Sequence, residues 1–332
     1  MRRLVEKGQR VKAFVRPGAD LGQLRDLPND VVRIAEGDCR YPDRVYAALR
    51  GCDTMYHVAA TYSFNERDRT RILRDSVTGT EATLEAARRA GVSKIVLTSS
   101  AITLGKSSSP EPLDERSFLS AGAGTSYAEA KRKAEEIALL CAEQGLPVVV
   151  VNPAGVYGPG DFRPTPSGRQ VLSYLNLSPS FKVPIIPGGF GVVDVDDVAE
   201  GHILAMEKGK VGERYVLASE NFDTRAFYQL LSDITGLSEP GQDLSRGQAS
   251  LFASFEDLKN WWSGAPPLVT RKLVESYYGQ YVFVSSDKAK RELGFSPRSA
   301  REALLRSCHY FLDHGFVDQK AARRARLELR HA

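Results

Sequence analysis

The chain has 332 residues, 42% of them apolar and 26% charged, with 45 basic against 41 acidic side chains and a net charge of +4. That balance fits a globular chain with a full core and argues against nucleic acid as a partner, which calls for a clustered basic stripe. No apolar run nears the roughly 18 residues of a membrane span, and four scattered cysteines and five dispersed histidines form neither a disulfide framework nor a metal site. The expectation is a reduced, cytoplasmic protein with no signal-type apolar segment at its start.

The length suggests two domains, or one large α/β domain with an extension. Leu4 and Val5 are the apolar positions of a helix that ends at Gly8, and VKAFV (11–15) reads as a short buried strand. The segments VVRIA (31–35), DTMYHVA (53–59), KIVLTSS (94–100) and PVVVVN (147–152) are equally short and rich in β-branched residues, as strands buried on both faces are. Helical patterns lie between and after them at Leu21–Leu27, Asp43–Arg50, Arg69–Ala90 and Tyr127–Glu143. This alternation predicts a parallel sheet with right-handed crossovers.

Past Pro153 a Gly/Pro-rich stretch, NPAGVYGPGDFRPTPSG, leads into a helix at Val195–Lys208, a strand at Arg214–Ala218 and a helix at Asp223–Leu237. Ser238–Pro267 is turn-rich and carries Trp261 and Trp262, and helices at Ser286–Leu293 and Ala300–His314 follow. The tail from Gln319 is basic and reads as a frayed, solvated helix or a binding arm. The predicted division is a cofactor-binding domain over 1–160, to which later segments return, a mainly substrate-binding lobe over 161–318, and the tail 319–332.

YAEAK (127–131) carries the chemistry. A spacing of four puts the Tyr127 phenol and the Lys131 ammonium on one helix face, where the ammonium favours phenolate. Such a tyrosine gives a proton to a carbonyl oxygen or takes one from an alcohol. The pair alone also fits an ordinary helix surface. Position strengthens it: Thr98, Ser99 and Ser100 end a predicted strand at the carboxyl edge, where open α/β sheets bind ligands. From there Ser100 can donate to the same carbonyl oxygen, although loop-start hydrogen bonding is the plainer role for either serine.

The order HVAA (57–60), DSVTGT (75–80), TSSAITLG (98–105), YAEAK (127–131), NPAGVYGPGD (152–161) and VDVDDVAEGH (193–202) resembles the extended short-chain dehydrogenase/reductases of the epimerase/dehydratase kind. Within them the phrasing RPTPSGR, GERYVLASEN and SSDKAKRELGFSPRS is most similar to the dihydroflavonol-4-reductase-like group and related sugar epimerases. The resemblance implies a Rossmann-type doubly wound parallel sheet, a smaller C-terminal substrate lobe and a Ser-Tyr-Lys set formed by Ser100, Tyr127 and Lys131. It places Asp38 at the adenine amino group, with Cys39 beside it, although Asp38 also suits a helix cap. Val58, Ala59, Ala60 and Thr98 would line the cofactor, Lys131 would bond the nicotinamide ribose, and Pro153, Ala154, Gly155 and Val156 would wrap the nicotinamide end. Ser76 stands where the family has an asparagine, which puts a water relay there in doubt. Arg16 follows the second strand of the fold where NAD-binding members carry an acid, so NADP(H) is favoured over NAD(H), with a solvated arginine as the plainer reading. Tyr62 and Phe64 would face the substrate, and the two tryptophans would add a lid or pack in the lobe core.

The implied reaction is reversible hydride transfer between NADP(H) and a ketone or aldehyde with a hydrophobic body, of the dihydroflavonol or hydroxysteroid kind. No cation precedes the VDVDDVA motif in PGGFGVVDV (187–195), which argues against a nucleotide-sugar epimerase or dehydratase, the main alternative. A homodimer paired through the helices at 69–90 and 127–143 is also implied. A glycine fingerprint G-x-x-G-x-x-G should join the first strand to the first helix, yet none occurs before Arg16, and GAGT (122–125) comes far too late. The resemblance would place roughly 20 residues ahead of Arg2, holding the first strand and glycine loop. An upstream start, a fragment, or a non-catalytic protein that dispenses with the loop are the readings of that gap, and weak NADPH binding is its expected consequence.

Overall fold

The computed structural model of the chain describes residues 1–59, 69–177, 181–263 and 269–322, with 259–263 described by backbone alone. Helix α1 (Arg2–Glu6) leads into β1 (Val11–Val15), and β2 (Val32–Glu36) pairs with β1 in parallel, Val11 opposite Val32. Between them the predicted helix Leu21–Leu27 is only a 3₁₀ turn, Gly22–Leu24. Leu24 and Leu27 alone reach the small core around Ala13 and Val32, Asp20 Oδ1 holds the Gly22 N–H at 2.9 Å, and Pro28 follows, so a longer helix has nothing more to bury.

The chain continues through α2 (Pro42–Leu49), β3 (Thr54–His57), α3 (Arg69–Ala90), β4 (Lys94–Thr98), α4 (Ser126–Glu143), β5 (Val148–Pro153) and β6 (Gly155–Tyr157). Next come α5 (Pro166–Leu175), β7 (Val183–Ile185), β8 (Gly189–Asp194), α6 (Val195–Lys208), β9 (Arg214–Leu217), β10 (Glu220–Asp223) and α7 (Thr224–Thr235). Then follow β11 (Pro240–Asp243), α8 (Arg246–Ser263), α9 (Arg271–Tyr277), β12 (Tyr281–Val282), α10 (Asp287–Leu293) and α11 (Ala300–Asp313). Helix α8 lies inside the stretch that reads as turn-rich. Its buried face is built from Ala249 and Ala253 packed on Val274, side chains too small to announce an apolar stripe.

The main sheet is parallel in the order β3-β4-β5-β9. Its central strand β5 carries Val148 to Val151, each at most 1% exposed. Both faces are covered: Val148 and Val150 meet the core of Leu84, Ala87 and Ala138 from α3 and α4, whereas Val149 and Val151 meet Ala205, Leu293 and Phe295. An unbroken valine run, instead of an alternating one, is what two covered faces require. Each buried valine contributes roughly 1.5 kcal/mol or more. The β1–β2 pair forms a separate sheet, and no described strand hydrogen-bonds to both β1 and β3. The fold is α/β and Rossmann-like, with a C-terminal lobe in which β8 pairs with β6, β10 and β12. Tyr174, Phe227, Leu231 and Phe311 fill the lobe core.

An ion cluster fastens that lobe. Asp194 ends β8, caps α6 by accepting the Asp196 N–H at 2.8 Å, and is fully buried. Arg298 reaches it at 3.1 Å and Arg306 at 2.7 Å, and Arg298 also bonds Asp197 at 2.7 Å. The buried Asp194 is thus matched by two arginines from the last third of the chain. Asp194→Ala removes a cap and one carboxylate partner from each guanidinium, leaving Arg298 on Asp197 and Arg306 on Asp196, so it is expected to cost about 2 kcal/mol in a urea unfolding measurement. A loss below about 1 kcal/mol would show that the cluster does not hold the lobe.

Candidate active site

Ser100 follows β4 at the carboxyl edge of the main sheet, and its side chain caps a 3₁₀ turn, Ala101–Leu104, by accepting the Ile102 N–H at 3.4 Å. Tyr127 sits in the first turn of α4, which Thr125 caps through the Ala128 N–H at 3.3 Å. That cap fixes where the helix begins and so aims Tyr127 at the strand end, where its phenol hydrogen-bonds Ser100. Lys131, one turn on, is buried and donates to the Thr98 backbone oxygen at 2.8 Å, which leaves two of its N–H bonds for other acceptors. The structure therefore brings Thr98, Ser100, Tyr127 and Lys131 together.

The electrostatics differ from the sequence expectation. Burial dominates at Tyr127 and pushes its phenol up to about 12, with the Ser100 hydrogen bond opposing the rise. Burial pulls Lys131 down to about 8, and the Glu135 carboxylate opposes that fall. In the protein alone burial sets the phenol, and the expected fall beside the lysine does not occur.

Two histidines lie beneath this set. His202 Nδ1 is 2.7 Å from the Val198 carbonyl, which only accepts, so Nδ1 carries the proton and Nε2 accepts the Thr98 hydroxyl at 2.7 Å. Burial lowers His202, and it lowers His57 to about 4, with the Lys131 ammonium adding to the effect at both.

Behind Ser100 lies a network that the motif reading missed. Glu135 Oε2 accepts from the Ser99 hydroxyl, from Thr103 at 2.8 Å and from Asn152 Nδ2 at 2.7 Å. Its other oxygen lies 2.7 Å from Arg214 Nε, whose N–H points off that line, so the contact is an ion pair and not a linear hydrogen bond. Glu135 and Arg214 are each nearly inaccessible. The signal was present in the sequence: Glu135 extends the Tyr127–Lys131 spacing by another four residues on the same face.

The remaining predicted residues are dispersed. Asp38 is held by Arg40, with Nε at 3.0 and 3.1 Å and Nη2 at 2.6 Å, which keeps its carboxyl below the usual range. Arg40 also reaches Asp75 on α3 at 3.3 Å, so Asp38 serves first in an ion network. Cys39 points at α3, where a Cβ on Gly79 would come within 3.0 Å of its sulfur, and burial raises its thiol. Arg16 is exposed just past β1. Ser76 donates to the Ala130 carbonyl at 3.3 Å and so ties α3 to α4. Val58 and Ala59 are exposed beyond β3, whereas Pro153 ends β5, and Gly155 and Val156 pair with β8 as part of the lobe sheet, next to Ala154. Ala60, Tyr62 and Phe64, like the side chains of Trp261 and Trp262, fall outside the described residues. On the lobe side, the Tyr277 oxygen is buried with no hydrogen-bond partner, and a Cβ on Gly124 would sit 3.3 Å from it.

The donor set fits a nicotinamide cofactor at one end: two Lys131 N–H bonds have no acceptor among the described residues, beside the Tyr127 and Ser100 hydroxyls. At the pyrophosphate end, no described strand lies between β1 and β3, the place from which such a fold's glycine loop starts. The model of the NAD dependent epimerase/dehydratase family matches residues 1–218. The chain belongs to this family. The match begins at residue 1 and lends no support to the expected missing start. A protein of Synechocystis sp. named "Putative dihydroflavonol 4-reductase" is 35% identical over 324 residues, covering 96% of this chain and 92% of that one. "Sterol demethylase protein B" of Methylococcus capsulatus is 32% identical, covering 96% and 95%. The crystal structure of gox2253 superposes with a TM-score of 0.81 at 36% identity, covering 96% of this chain and 94% of that one. The chain is thus an extended short-chain dehydrogenase/reductase, a family that works with NAD(P). No helix among the described residues is long and apolar enough to cross a membrane.

The buried histidines set an acid limit on the fold. His57 stays neutral in the fold to about pH 4, whereas a free histidine titrates near 6.5. Above 6.5 the two states bind equal protons; below it the unfolded chain takes the proton first, so stability falls with pH and levels off below about 4. His57→Gln removes that component and should spare about 3 kcal/mol of the loss between pH 7 and pH 4, measured by urea unfolding. Identical pH dependence in the two proteins would contradict the assignment.

Proposed function

We propose that the protein is an NADP(H)-dependent carbonyl reductase whose acid/base residue is Tyr127, with Ser100 and Lys131 as its partners. The observation that carries the reading is the Tyr127–Ser100 hydrogen bond at the carboxyl edge of β4, with Lys131 buried one turn away and two of its N–H bonds available. When bound, the nicotinamide supplies a hydride to the carbonyl carbon or takes one from the alcohol.

In reduction Tyr127 gives its phenolic proton to the carbonyl oxygen, and in oxidation it takes that proton back. Ser100 donates to the same oxygen as negative charge develops on it. Lys131 anchors the ribose hydroxyls with its remaining N–H bonds, and its positive charge then bears on the phenol. A phenol raised to about 12 favours the protonated form and hence the acid role, that of reduction. Arg16 is exposed and suits the 2′-phosphate of NADP(H), a planar cation for a dianion. A hydrophobic ketone or aldehyde fits best, since the names of the relatives point to flavonoid and sterol chemistry.

The test is consumption of NADPH, followed by absorbance, with a dihydroflavonol, a steroid ketone and an aromatic aldehyde. Turnover of at least one is expected, and Tyr127→Phe should lower kcat/KM by roughly a thousandfold. Consumption unchanged in Tyr127→Phe, or none with any carbonyl by the wild type, would overturn the reading. For the cofactor, Arg16→Glu should shift preference from NADPH toward NADH by about tenfold or more in kcat/KM. An unchanged ratio would remove Arg16 from the site.

A further inference from the structure

We propose that Glu135 is a positioning residue for the Ser100–Tyr127–Lys131 set, placing a fixed negative charge behind Lys131 and tying down the backbone of Ser100. The inference rests on the reading of that set given above, and it assigns to a residue outside the set the task of holding both of Tyr127's partners.

The geometry distinguishes this role from simple charge pairing. An ion pair with Arg214 needs one carboxylate oxygen, and Oε1 provides it at 2.7 Å. The second oxygen turns toward the catalytic edge instead, where three donors meet it. Two of them also lie on the carbonyl of Ser100: the single Thr103 hydroxyl proton has two acceptors in reach, that carbonyl at 2.7 Å and Glu135 at 2.8 Å, and Asn152 Nδ2 lies 3.3 Å from the carbonyl. Asn152 bonds Thr103 as well, at 3.0 Å. The Asn152 amide must point its NH₂ at Glu135, because the opposite orientation would set oxygen against carboxylate, and its own Oδ1 is left buried with no partner. An orphaned oxygen is a cost accepted so that the NH₂ group serves Glu135 and Ser100. Removing the carboxylate therefore takes away the acceptor around which Ser99, Thr103 and Asn152 are arranged next to Ser100.

Among the described residues the charged surroundings are few. Lys131 faces Glu135 from its own helix, His57 from β3 and His202 from α6, both histidines held neutral by burial. Glu135 faces Arg214 from β9, and Arg214 in turn feels Glu115 and Asp114. Tyr127 is bonded to Ser100. Glu135 is thus the carboxylate that acts on Lys131, and it opposes the downward pull of burial on the ammonium. Without it Lys131 would lose its proton near neutrality and could no longer favour phenolate at Tyr127.

The experiment compares the wild type with Glu135→Gln and with the double variant Glu135→Gln/Arg214→Gln, all as full chains. The double variant removes the partner whose stranded charge would unfold the single one. The readout is the titration midpoint of Lys131, followed by NMR with lysines labelled at Cε and assigned through Lys131→Arg. The wild-type midpoint is expected near 8 and should fall by about one pH unit or more in the double variant. A folded double variant that keeps the wild-type midpoint overturns the proposal and leaves Glu135 as a counter-ion of Arg214. This readout needs no turnover, so it decides the role of Glu135 whether or not the wild type reduces a carbonyl, which is decided separately by the NADPH assay. With a carbonyl that does turn over, kcat should drop about tenfold in the double variant while KM stays within about threefold, and an unchanged kcat counts against the proposal.

Discussion

The edge that carries Ser100, Tyr127 and Lys131 depends on one carboxylate, Glu135, paired in a place water does not reach. An isolated buried charge costs several kcal/mol even after relaxation, so Glu135 is tolerated only because Ser99, Thr103, Asn152 and Arg214 all turn toward it. Those four come from the end of β4, the 3₁₀ turn after it, β5 and β9. A single acceptor thereby pins three adjacent strands of the main sheet to helix α4, at the level where Tyr127 and Lys131 leave that helix. Arg214 is fixed further by the carbonyls of Glu115 and Ser117, each at 3.0 Å, and by stacking 4.2 Å above the Phe118 ring. The loop between the 3₁₀ turn and α4 is therefore fastened from beneath before any ligand is considered.

Two further ion clusters do comparable work where no strand ladder runs. Arg40 spans Asp38 and Asp75, which links the small β1–β2 sheet to α3. Asp194, Arg298 and Arg306 join the end of β8 to α6 and α11. In each case side-chain charge substitutes for backbone pairing. The hydrophobic core supplies most of the stability, through valines buried on both faces of β5, but it is indifferent to register between separate sheets. The ion clusters are directional and supply that specificity.

The main sheet and its helices were legible in the sequence because a parallel strand covered on both sides must be a short apolar run, and 94–100 and 147–152 are such runs, whereas 31–35, read the same way, is a strand of the separate β1–β2 sheet with Ile34 exposed. Where apolar signal is thin, the reading failed. The turn at Gly22–Leu24 buries too little to be a helix, and α8 hides its packed face behind two alanines. At the site, Ser100, Tyr127 and Lys131 were visible through spacing and strand position, and the structure brings them together. The predicted lowering of the Tyr127 phenol was not, since desolvation is a property of the folded surroundings. Glu135 was overlooked for a similar reason: a glutamate on an amphipathic helix reads as solvated until the sheet that covers it is placed. Asp38 was legible as an acid at the right strand end, but not its capture by Arg40.

The account stands or falls on hydride transfer to a carbonyl with Tyr127 as the proton source. Its most direct test is a reaction of the protein with NADPH deuterated at the transferable position and a hydrophobic ketone or aldehyde, analysed by mass spectrometry. One deuterium on the carbinol carbon of the product, absent with Tyr127→Phe, is the predicted result. Recovery of unlabelled carbonyl and intact NADPH, or label transfer unaffected by Tyr127→Phe, would contradict it.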